Sequence, residues 1–277
     1  MKHEGKLQEN KNNNLVKRFH QFVKVVKGPV NSAIYDLLEG EVYHVTNDDI
    51  QAFNAGEYSR IETFMNGAEK ANLIINVMPH HWIPQIKLDN SLDEDSLEDI
   101  EIELHIEAGN PLEEIISAFQ AYSIQKIYFY GSKLPELKKH PKIDIELAKK
   151  DFESCIQKCS ADGVFSKIFR AAYQFNYKFN SCWGTVIAIT SDGMIRPCIQ
   201  SEIEIGNIET DLDDVGKLIE EMLLYWTFTK DNVQRCKACE FRYGCFDCRE
   251  IAIRKTGHMH GENCLCNYNP FTGNWES

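Results

Sequence analysis

Cysteines are concentrated near the C-terminus of this sequence, in a pattern typical of metal or iron–sulfur ligands. Residues 236–248 follow the pattern C-x2-C-x5-C-x2-C, and Cys264-Leu265-Cys266 comes soon after. A two-residue gap lets two thiolates face one metal centre from a tight turn. Basic residues among these cysteines, such as Arg242, would offset part of the negative charge of thiolate ligands. We therefore expect this stretch to hold a metal or a cluster.

Two further cysteines lie upstream, on a predicted hairpin. An apolar strand at 183–189, a Ser191-Asp192-Gly193 turn and a returning strand at 194–198 place Cys182 and Cys198 near its open ends. Between positions 182 and 266 there are eight cysteines, the number that ligates two four-iron clusters. These candidate ligands are Cys182, Cys198, Cys236, Cys239, Cys245, Cys248, Cys264 and Cys266.

Zinc is the alternative to iron–sulfur, because C-x2-C pairs also form structural zinc sites. A zinc ribbon usually separates its two C-x2-C pairs by about 15–20 residues. Here only five residues separate the pairs, and a hairpin cysteine pair precedes them. The spacing favours iron–sulfur and leaves zinc open. Cys155 and Cys159, four residues apart, are either an additional ligand pair or two buried helical thiols.

Composition excludes several classes of protein. The net charge of −12 over 277 residues argues against a general nucleic-acid binder, which neutralises phosphates with Lys and Arg. No run approaches the roughly 18 apolar residues of a membrane span, and the polar first residues predict no signal peptide. We therefore expect a cytoplasmic protein with no membrane partner. In a reducing compartment, the ten cysteines are expected to be ligands or free thiols rather than disulfides.

The pattern of apolar residues predicts an α/β fold in three parts. Residues 1–88 form a small N-terminal α+β unit, with a polar start over 1–20 and strands near 22–26, 33–38 and 41–45. Glu39-Gly40 predicts a two-residue hairpin turn between the last two of these strands. Thr46, three residues before Asp49, predicts the start of a helix over 47–54, and a second helix is expected over 59–73.

Residues 89–180 are the second part, a shortened βα region. An acidic linker over 88–96 leads to a strand at 100–106, a helix that begins at Asn110-Pro111, and a strand at 124–130. This order predicts a βαβ unit in a parallel sheet. A strand over 142–147 and a helical run through Cys159 follow. The region is too short for an eight-fold barrel of about 250 residues.

The third part, residues 181–277, resembles a known family. Cys182-Trp183-Gly184, the Ser-Asp-Gly turn, Pro197-Cys198, Ile205-Gly-Asn-Ile208 and the C-x2-C-x5-C-x2-C run match, in order, the SPASM domain of radical SAM peptide-modifying enzymes. The resemblance covers about 95 residues. The ending 266–275 and the N-terminal hairpin are similar to one subgroup, the peptide maturases encoded beside ATP-grasp ligases (the grasp-with-spasm systems).

The resemblance implies a division of ligands between two 4Fe-4S clusters. The first cluster would take Cys182, Cys198 and Cys248, and the second would take Cys236, Cys239, Cys245 and Cys266. Cys264 would be an extra thiol or the ligand in place of Cys266. At a position where the family often has a further cysteine, this sequence has Asn176. The fourth ligand of the first cluster would then be Cys155, Cys159, Cys264 or an external molecule.

One departure from the family bears on activity. Radical SAM chemistry needs a C-x3-C-x2-C loop, whereas Cys155-x3-Cys159 is followed at the third position by Asp162. The resemblance therefore implies a partial radical-SAM-like barrel and does not extend to cleavage of S-adenosylmethionine. It implies maturation of a ribosomally synthesised precursor peptide (a RiPP) with an ATP-grasp ligase. The alternative is a non-catalytic, cluster- or zinc-stabilised peptide-binding accessory protein. No catalytic residue is predicted.

Overall fold

The fold is taken from a computed structural model, which describes residues 15–81, 83, 100–137, 142–150, 153, 156, 167–262 and 265–276. Cys155, Cys159 and Cys264 lie outside the described residues, as do the whole predicted acidic linker over 88–96 and most of the helical run through Cys159. None of the helices in the described part of the chain is both long and apolar enough to cross a membrane.

A three-stranded antiparallel sheet begins the fold. It contains β2 (Val23–Lys27), β3 (Asn31–Asp36) and β4 (Glu41–Thr46), in that order. The predicted two-residue turn is wrong, because Asp36 pairs with Glu41 and leaves a four-residue loop. The Asp36 carboxylate accepts hydrogen bonds from the backbone of Leu38 and Glu39 at 3.0 and 3.3 Å, which supports the longer turn.

Helices follow this sheet as expected, although the second is shorter than predicted. Helix α1 covers Asn47–Ala55 and is capped by the Thr46 hydroxyl, which accepts a hydrogen bond from the Asp49 amide at 3.0 Å. A 3₁₀ turn at Tyr58–Arg60 precedes α2 (Glu62–Lys70), so the predicted single helix over 59–73 is interrupted at Ile61. Strand β1 (Val16–Phe19) pairs with β5 (Ile74–Val77), so the predicted polar start ends before residue 16.

Replacement of Thr46 by alanine is expected to lower the free energy of unfolding by about 1 kcal/mol, because it removes the N-cap of α1. The matched control is Thr63→Ala, at an exposed position inside α2, where alanine is the better helix former. That control is expected to be neutral or slightly stabilising. Urea unfolding followed by circular dichroism measures both. Equal effects of the two replacements would contradict the capping role.

The central sheet is mixed and mostly parallel, which confirms the predicted βαβ unit. Six strands form it among the described residues, in the order β11-β10-β9-β6-β7-β8. Strands β6 (Glu101–Glu107) and β7 (Ser123–Tyr130) are parallel and joined by α3 (Leu112–Ala118). Strand β8 (Ile145–Leu147) pairs in parallel with β7.

The strands of the predicted cysteine-bearing hairpin extend this same sheet. Strand β9 (Val186–Ile189) pairs in parallel with β6, and β10 (Met194–Arg196) returns antiparallel to β9. Strand β11 (Gly206–Asn207) completes that edge. The six-stranded sheet therefore contains strands from both sides of the predicted domain boundary at residue 180. The boundary itself stays a prediction.

Four further helices lie in the C-terminal half of the described chain. They are α4 (Arg170–Lys178), α5 (Ile208–Asp211), α6 (Val215–Trp226) and α7 (Arg249–Thr256). The apolar face of α6 packs into the main core with the sheet strands and α3, through residues that include Val215, Leu218, Met222 and Trp226. A short ladder of β12 (Tyr268–Asn269) and β13 (Asn274–Trp275) ends the described chain.

Candidate metal centre

One group of four cysteines lines a small cavity, and we call it the second cysteine group. Its members are Cys236, Cys239, Cys245 and Cys266, and the remaining lining comes from Lys230, Phe241, Arg242, Tyr268 and Trp275. The space open to the centre of a water-sized sphere is about 30 Å³. One water requires roughly 10–15 Å³ on this measure. The thiols therefore surround a space that is larger than a single water site.

Local hydrogen bonds fix the chain around this cavity. A 3₁₀ turn over Cys236–Ala238 lets the Cys239 amide donate to the Cys236 carbonyl at 2.9 Å. The guanidinium of Arg242 donates to the Cys239 carbonyl at 2.8 Å, and that of Arg235 donates to the Cys266 carbonyl at 2.7 Å. The two arginines thus hold the cysteine-bearing backbone in place and add positive charge beside it.

Burial favours the protonated form of two of these thiols, Cys239 and Cys245. It raises the pKa of Cys245 to about 11 and raises the pKa of Cys239 well above the ordinary value for a thiol. Thiolate, not thiol, is the form that binds metal. Positive charge beside the cavity therefore favours deprotonation of these two thiols.

Lys230 supplies one such charge. Its side chain is 4% exposed, and its Nζ lies 3.4 Å from an Asp247 carboxylate oxygen. Within the described residues, this Nζ makes no hydrogen bond. Burial alone would lower the pKa of Lys230, but Asp247 and the thiols of Cys245 and Cys236 raise it overall. A buried ammonium beside four thiols is suited to an anionic occupant of the cavity.

The other described cysteines form the first cysteine group: Cys182, Cys198 and Cys248. Cys182 packs against Cys248 and Ile251 in a small buried cluster. Cys198 interacts electrostatically with Cys248, and burial raises the pKa of Cys198 to about 12. Cys182 and Cys198 flank strands β9 and β10, as the sequence predicts, and Cys248 comes from the N-terminal end of α7.

Interactions of buried polar groups, here called the buried polar corner, link the chain near Cys182 to the chain near Cys245 and Cys248. The Asn180 side-chain oxygen accepts from the amides of Cys182 and Trp183, both at 2.8 Å, which turns the chain into β9. Asp247 lies between Cys245 and Cys248 in sequence, and its amide donates to Ser181 Oγ at 2.7 Å. The Asp247 carboxylate also pairs with the guanidinium of Arg249, which is fully buried. The 180–182 turn is thereby fastened to the 245–248 segment.

Gly184 makes the close packing of this corner possible. A Cβ at Gly184 would lie 2.5 Å from the Asn180 carbonyl oxygen and 2.8 Å from the side chains of Phe175 and Phe179. The contacted oxygen belongs to the backbone and accepts the Gly184 amide at 2.8 Å. A side chain here therefore requires movement of the turn that carries Cys182.

We expect Gly184→Ala to lower the free energy of unfolding by about 1–3 kcal/mol, through overpacking. The control is Gly67→Ala in α2, where an added Cβ meets nothing within 4 Å. That control should raise the free energy by about 0.5–1 kcal/mol, because alanine is the better helix former. Urea unfolding of the two variants measures both effects. A stabilising Gly184→Ala replacement would contradict the packing described.

Two buried glutamates near the cysteines were not identified from the sequence. Glu250, in the first turn of α7, is 3% exposed and interacts electrostatically with Cys248. Glu240 is fully buried and accepts from the Tyr268 hydroxyl, and lies 3.0 Å from His44 Nε2. In the sequence, each of them lies within two residues of a cysteine. Exposed glutamates also lie that close to cysteines, so this spacing does not indicate burial.

Glu240 connects the cysteine segment to the N-terminal sheet. Burial would raise the pKa of this carboxyl, but its hydrogen bonds with His44 and Tyr268 lower the pKa overall. The Tyr35 hydroxyl donates to the Glu240 carbonyl at 3.0 Å. Residues of β3 and β4 therefore hold the Cys239–Glu240 backbone from one side. Asn176, where the SPASM resemblance would place a further cysteine, donates to the Tyr243 carbonyl at 2.9 Å.

Among the described residues, no three His, Cys, Asp or Glu side chains are grouped so that they could hold one metal ion. The described cysteines are not joined in disulfides. Cys266 lines the cavity of the second cysteine group, whereas Cys264 lies outside the described residues. The choice between Cys264 and Cys266 as a ligand therefore stays a prediction.

A larger cleft lies elsewhere and contains no cysteine. It has a volume of about 740 Å³ and lies between β4 and residues 59–64. Its polar lining is engaged in local structure: Thr46 and Asp49 cap α1, and Arg60 pairs with Glu57 at 3.0 Å. The cleft therefore offers no set of groups for chemistry comparable to the cysteine groups.

A scan of the chain against protein-family models and a search of curated proteins both found no match.

Proposed function

We propose that this chain is a SPASM-type iron–sulfur protein that holds two 4Fe-4S clusters. We further propose that it takes part in maturation of a ribosomally synthesised precursor peptide, together with an ATP-grasp ligase. The cluster part of the proposal is supported by the cysteine geometry. The peptide part is supported by the resemblance of residues 181–277 to the SPASM domain.

The observation that carries the proposal is the separation of Cys245 from Cys248. These cysteines are three apart in sequence, a spacing that favours a shared metal. Nevertheless, Cys245 lines the cavity of the second cysteine group, whereas Cys248 packs with Cys182 in the first. The same crossed division is the one that the SPASM resemblance implies, and one zinc knuckle would not produce it.

The donor chemistry also fits a four-iron cluster. Four thiols around one cavity match the ligand number of such a cluster. The buried ammonium of Lys230 would offset part of its negative charge. These two features support the cluster proposal.

The clusters would supply electron transfer or structural support, and the chain's own residues hold and surround them. Because the sequence has no C-x3-C-x2-C triad, the proposal does not include cleavage of S-adenosylmethionine. The net charge of −12 suits a basic segment of a precursor peptide.

Anaerobic reconstitution with iron and sulfide tests the cluster proposal. The full chain is expected to bind about eight irons, four per cluster. Cys239→Ser should lose the second cluster and Cys198→Ser the first, leaving about four irons in each case. Each variant is the matched control for the other. Tightly bound zinc in place of iron would overturn the proposal.

Co-expression tests the role in peptide maturation. The chain would be produced with an ATP-grasp ligase and a short precursor encoded beside its gene, and the precursor would be analysed by mass spectrometry. A mass change that requires the intact chain and is lost in Cys198→Ser or Cys239→Ser is expected. A product that is identical without this chain would contradict the role. Formation of 5′-deoxyadenosine in the same mixture would show that S-adenosylmethionine is cleaved after all.

A further inference from the structure

Titratable side chains outside the cysteine groups meet on one face of the central sheet. Leu104 and Ile106 of β6 pack into the main core, together with α3 and α6. Successive side chains of a strand point to opposite faces, so Glu103 and His105 lie on the other face of the sheet. They are half-buried there, with side-chain exposures of 31% and 20%.

Tyr130, the last residue of β7, completes this group, which we call the sheet-face group. Its hydroxyl lies 2.9 Å from His105 Nδ1, and His105 Nε2 lies 3.7 Å from a Glu103 carboxylate oxygen. A neutral imidazole has a proton on one ring nitrogen and accepts a hydrogen bond at the other. A proton on Nε2, the side of the carboxylate, leaves Nδ1 to accept a hydrogen bond from the Tyr130 hydroxyl.

The second ring nitrogen of His105 has an unusual environment. Nε2 is buried, and it makes no hydrogen bond within the described part of the chain. Buried polar atoms are normally hydrogen-bonded, so an exception requires an explanation. Lys126, which is paired with Glu103 in the register of the sheet, forms an ion pair with Glu146 instead. The carboxylate of Glu103 is therefore left to His105.

The arrangement is suited to proton transfer. A carboxylate beside an imidazole orients the ring and stabilises the imidazolium that forms when the other ring nitrogen takes a proton. Here that proton would come from the Tyr130 hydroxyl, on the opposite edge of the ring from Glu103. Tyrosine, histidine and glutamate are all used as acids and bases in enzymes.

The position in the sheet also favours a site. Strands β6 and β7 are parallel, Tyr130 ends β7, and His105 lies two residues before the end of β6. Ligands of open α/β sheets bind outside the carboxyl ends of the strands. The sheet-face group thus lies near the edge of the sheet at which such sites are found.

The geometry points to a second chemical site. We propose that Tyr130, activated by His105 and Glu103, is a proton-transfer residue for an N–H or O–H group of a peptide. Tyr130 takes the proton of that group while its own passes to His105 Nδ1. It later gives a proton to the product and recovers its own from His105, so no oxidant or reductant is needed. The identity of the peptide as the precursor rests on the proposed function, whereas the activation of Tyr130 does not.

Reaction of the full chain with phenylmethanesulfonyl fluoride tests the activation directly. The Tyr130 oxygen attacks sulfur, the O–S bond forms, fluoride leaves, and the phenol proton passes to His105. A positioned base typically contributes about 10²–10⁴-fold, so Tyr130 should be labelled about 10²-fold faster than Tyr128. Tyr128 is the internal comparison, because it lies on the same strand and face and makes no hydrogen bond to His105 among the described residues. Mass spectrometry of peptides measures both rates.

Replacement of the two supporting residues extends this test. His105→Gln should lower the labelling rate of Tyr130 to that of Tyr128, and Glu103→Gln should lower it by a smaller factor. Circular dichroism verifies that the variants are folded, and Glu103→Gln keeps the test decisive if His105→Gln does not fold. Equal labelling of Tyr130 and Tyr128 in the wild-type chain would overturn the proposal. Fast labelling of Tyr130 that persists in both variants would also overturn it.

Conversion of the precursor tests the role of the site. Initial rates are measured in a mixture of the full chain, the ATP-grasp ligase and the precursor encoded beside its gene. Tyr130→Phe should lower kcat by about 10²-fold or more and leave KM and the iron content unchanged. The matched control, Tyr128→Phe, also removes one hydroxyl and should leave kcat unchanged.

The outcomes separate this inference from the proposed function. Unchanged conversion by Tyr130→Phe, together with loss of conversion in Cys239→Ser, would overturn the inference while the proposed function stands. A precursor that the wild-type chain does not help to modify would overturn the proposed function and the peptide as substrate. The labelling rates then decide the activation of Tyr130 by themselves.

Discussion

Replacement of Lys230 by methionine is expected to lower the free energy of unfolding by about 3 kcal/mol. Lys230 and Asp247 are both buried, at 4% and 2% side-chain exposure, and removal of one partner of a buried pair typically costs about 3–5 kcal/mol. We expect the lower end of this range because Arg249 still pairs with Asp247. Urea unfolding measures the change.

The control for this prediction is Lys217→Met on the exposed face of α6. Lys217 is 69% exposed and lies 3.9 Å from Glu221, so its loss should change stability by no more than about 0.5 kcal/mol. Lys230→Met should also reduce uptake of iron by the second cysteine group, since it removes a buried positive charge. Equal stability of the two variants would contradict the role of Lys230.

Trp226→Ala is expected to have a comparable or larger effect, about 3–5 kcal/mol. Trp226 is fully buried in the main core, and its indole N–H donates to the Val186 carbonyl at 2.9 Å. Its own carbonyl accepts the Asn180 amide at 2.6 Å. The indole therefore anchors α6 to the strand that follows Cys182, and its loss leaves both a cavity and an unsatisfied carbonyl.

Leu224→Ala provides the comparison on the same helix. Leu224 is 62% exposed, so its truncation should change the free energy of unfolding by no more than about 0.5 kcal/mol. Trp226→Phe, which keeps an aromatic ring and loses the indole N–H, should fall between the two. A cost below about 1.5 kcal/mol for Trp226→Ala would contradict its place in the core.

Local sequence patterns predicted much of the fold because local physics decides those features. The capping of α1 by Thr46 depends on residues only three positions apart. The βαβ unit follows from an amphipathic helix between two apolar strands, and β6 and β7 are parallel as expected. The hairpin loop after Asp36 was predicted wrongly because a side-chain hydrogen bond, not the Glu-Gly pair, sets the turn.

Long-range features could not be predicted in this way. Nothing in the sequence near Val16 indicates that it pairs with Val77, or that β9 lies beside β6. The position of each thiol is also a long-range property, because the second cysteine group combines a compact motif with Cys266. Burial of Glu250 depends on the turn after Cys198, which lies about 50 residues upstream. Spacing alone therefore identified candidate ligands but not their partners.

Contacts between the ends of the described chain have a consequence for the time course of folding. Asn31 donates to the Gly273 carbonyl, and Tyr35 to that of Glu240, across sequence separations of 242 and 205 residues. Ribosomes add about 5–20 residues per second, so roughly 10–50 s pass between synthesis of β3 and of these partners. During this interval the sheet face that bears Tyr35 lacks its cover and is open to wrong associations. A chaperone that binds nascent apolar segments would have its greatest effect on the yield of this protein in that window.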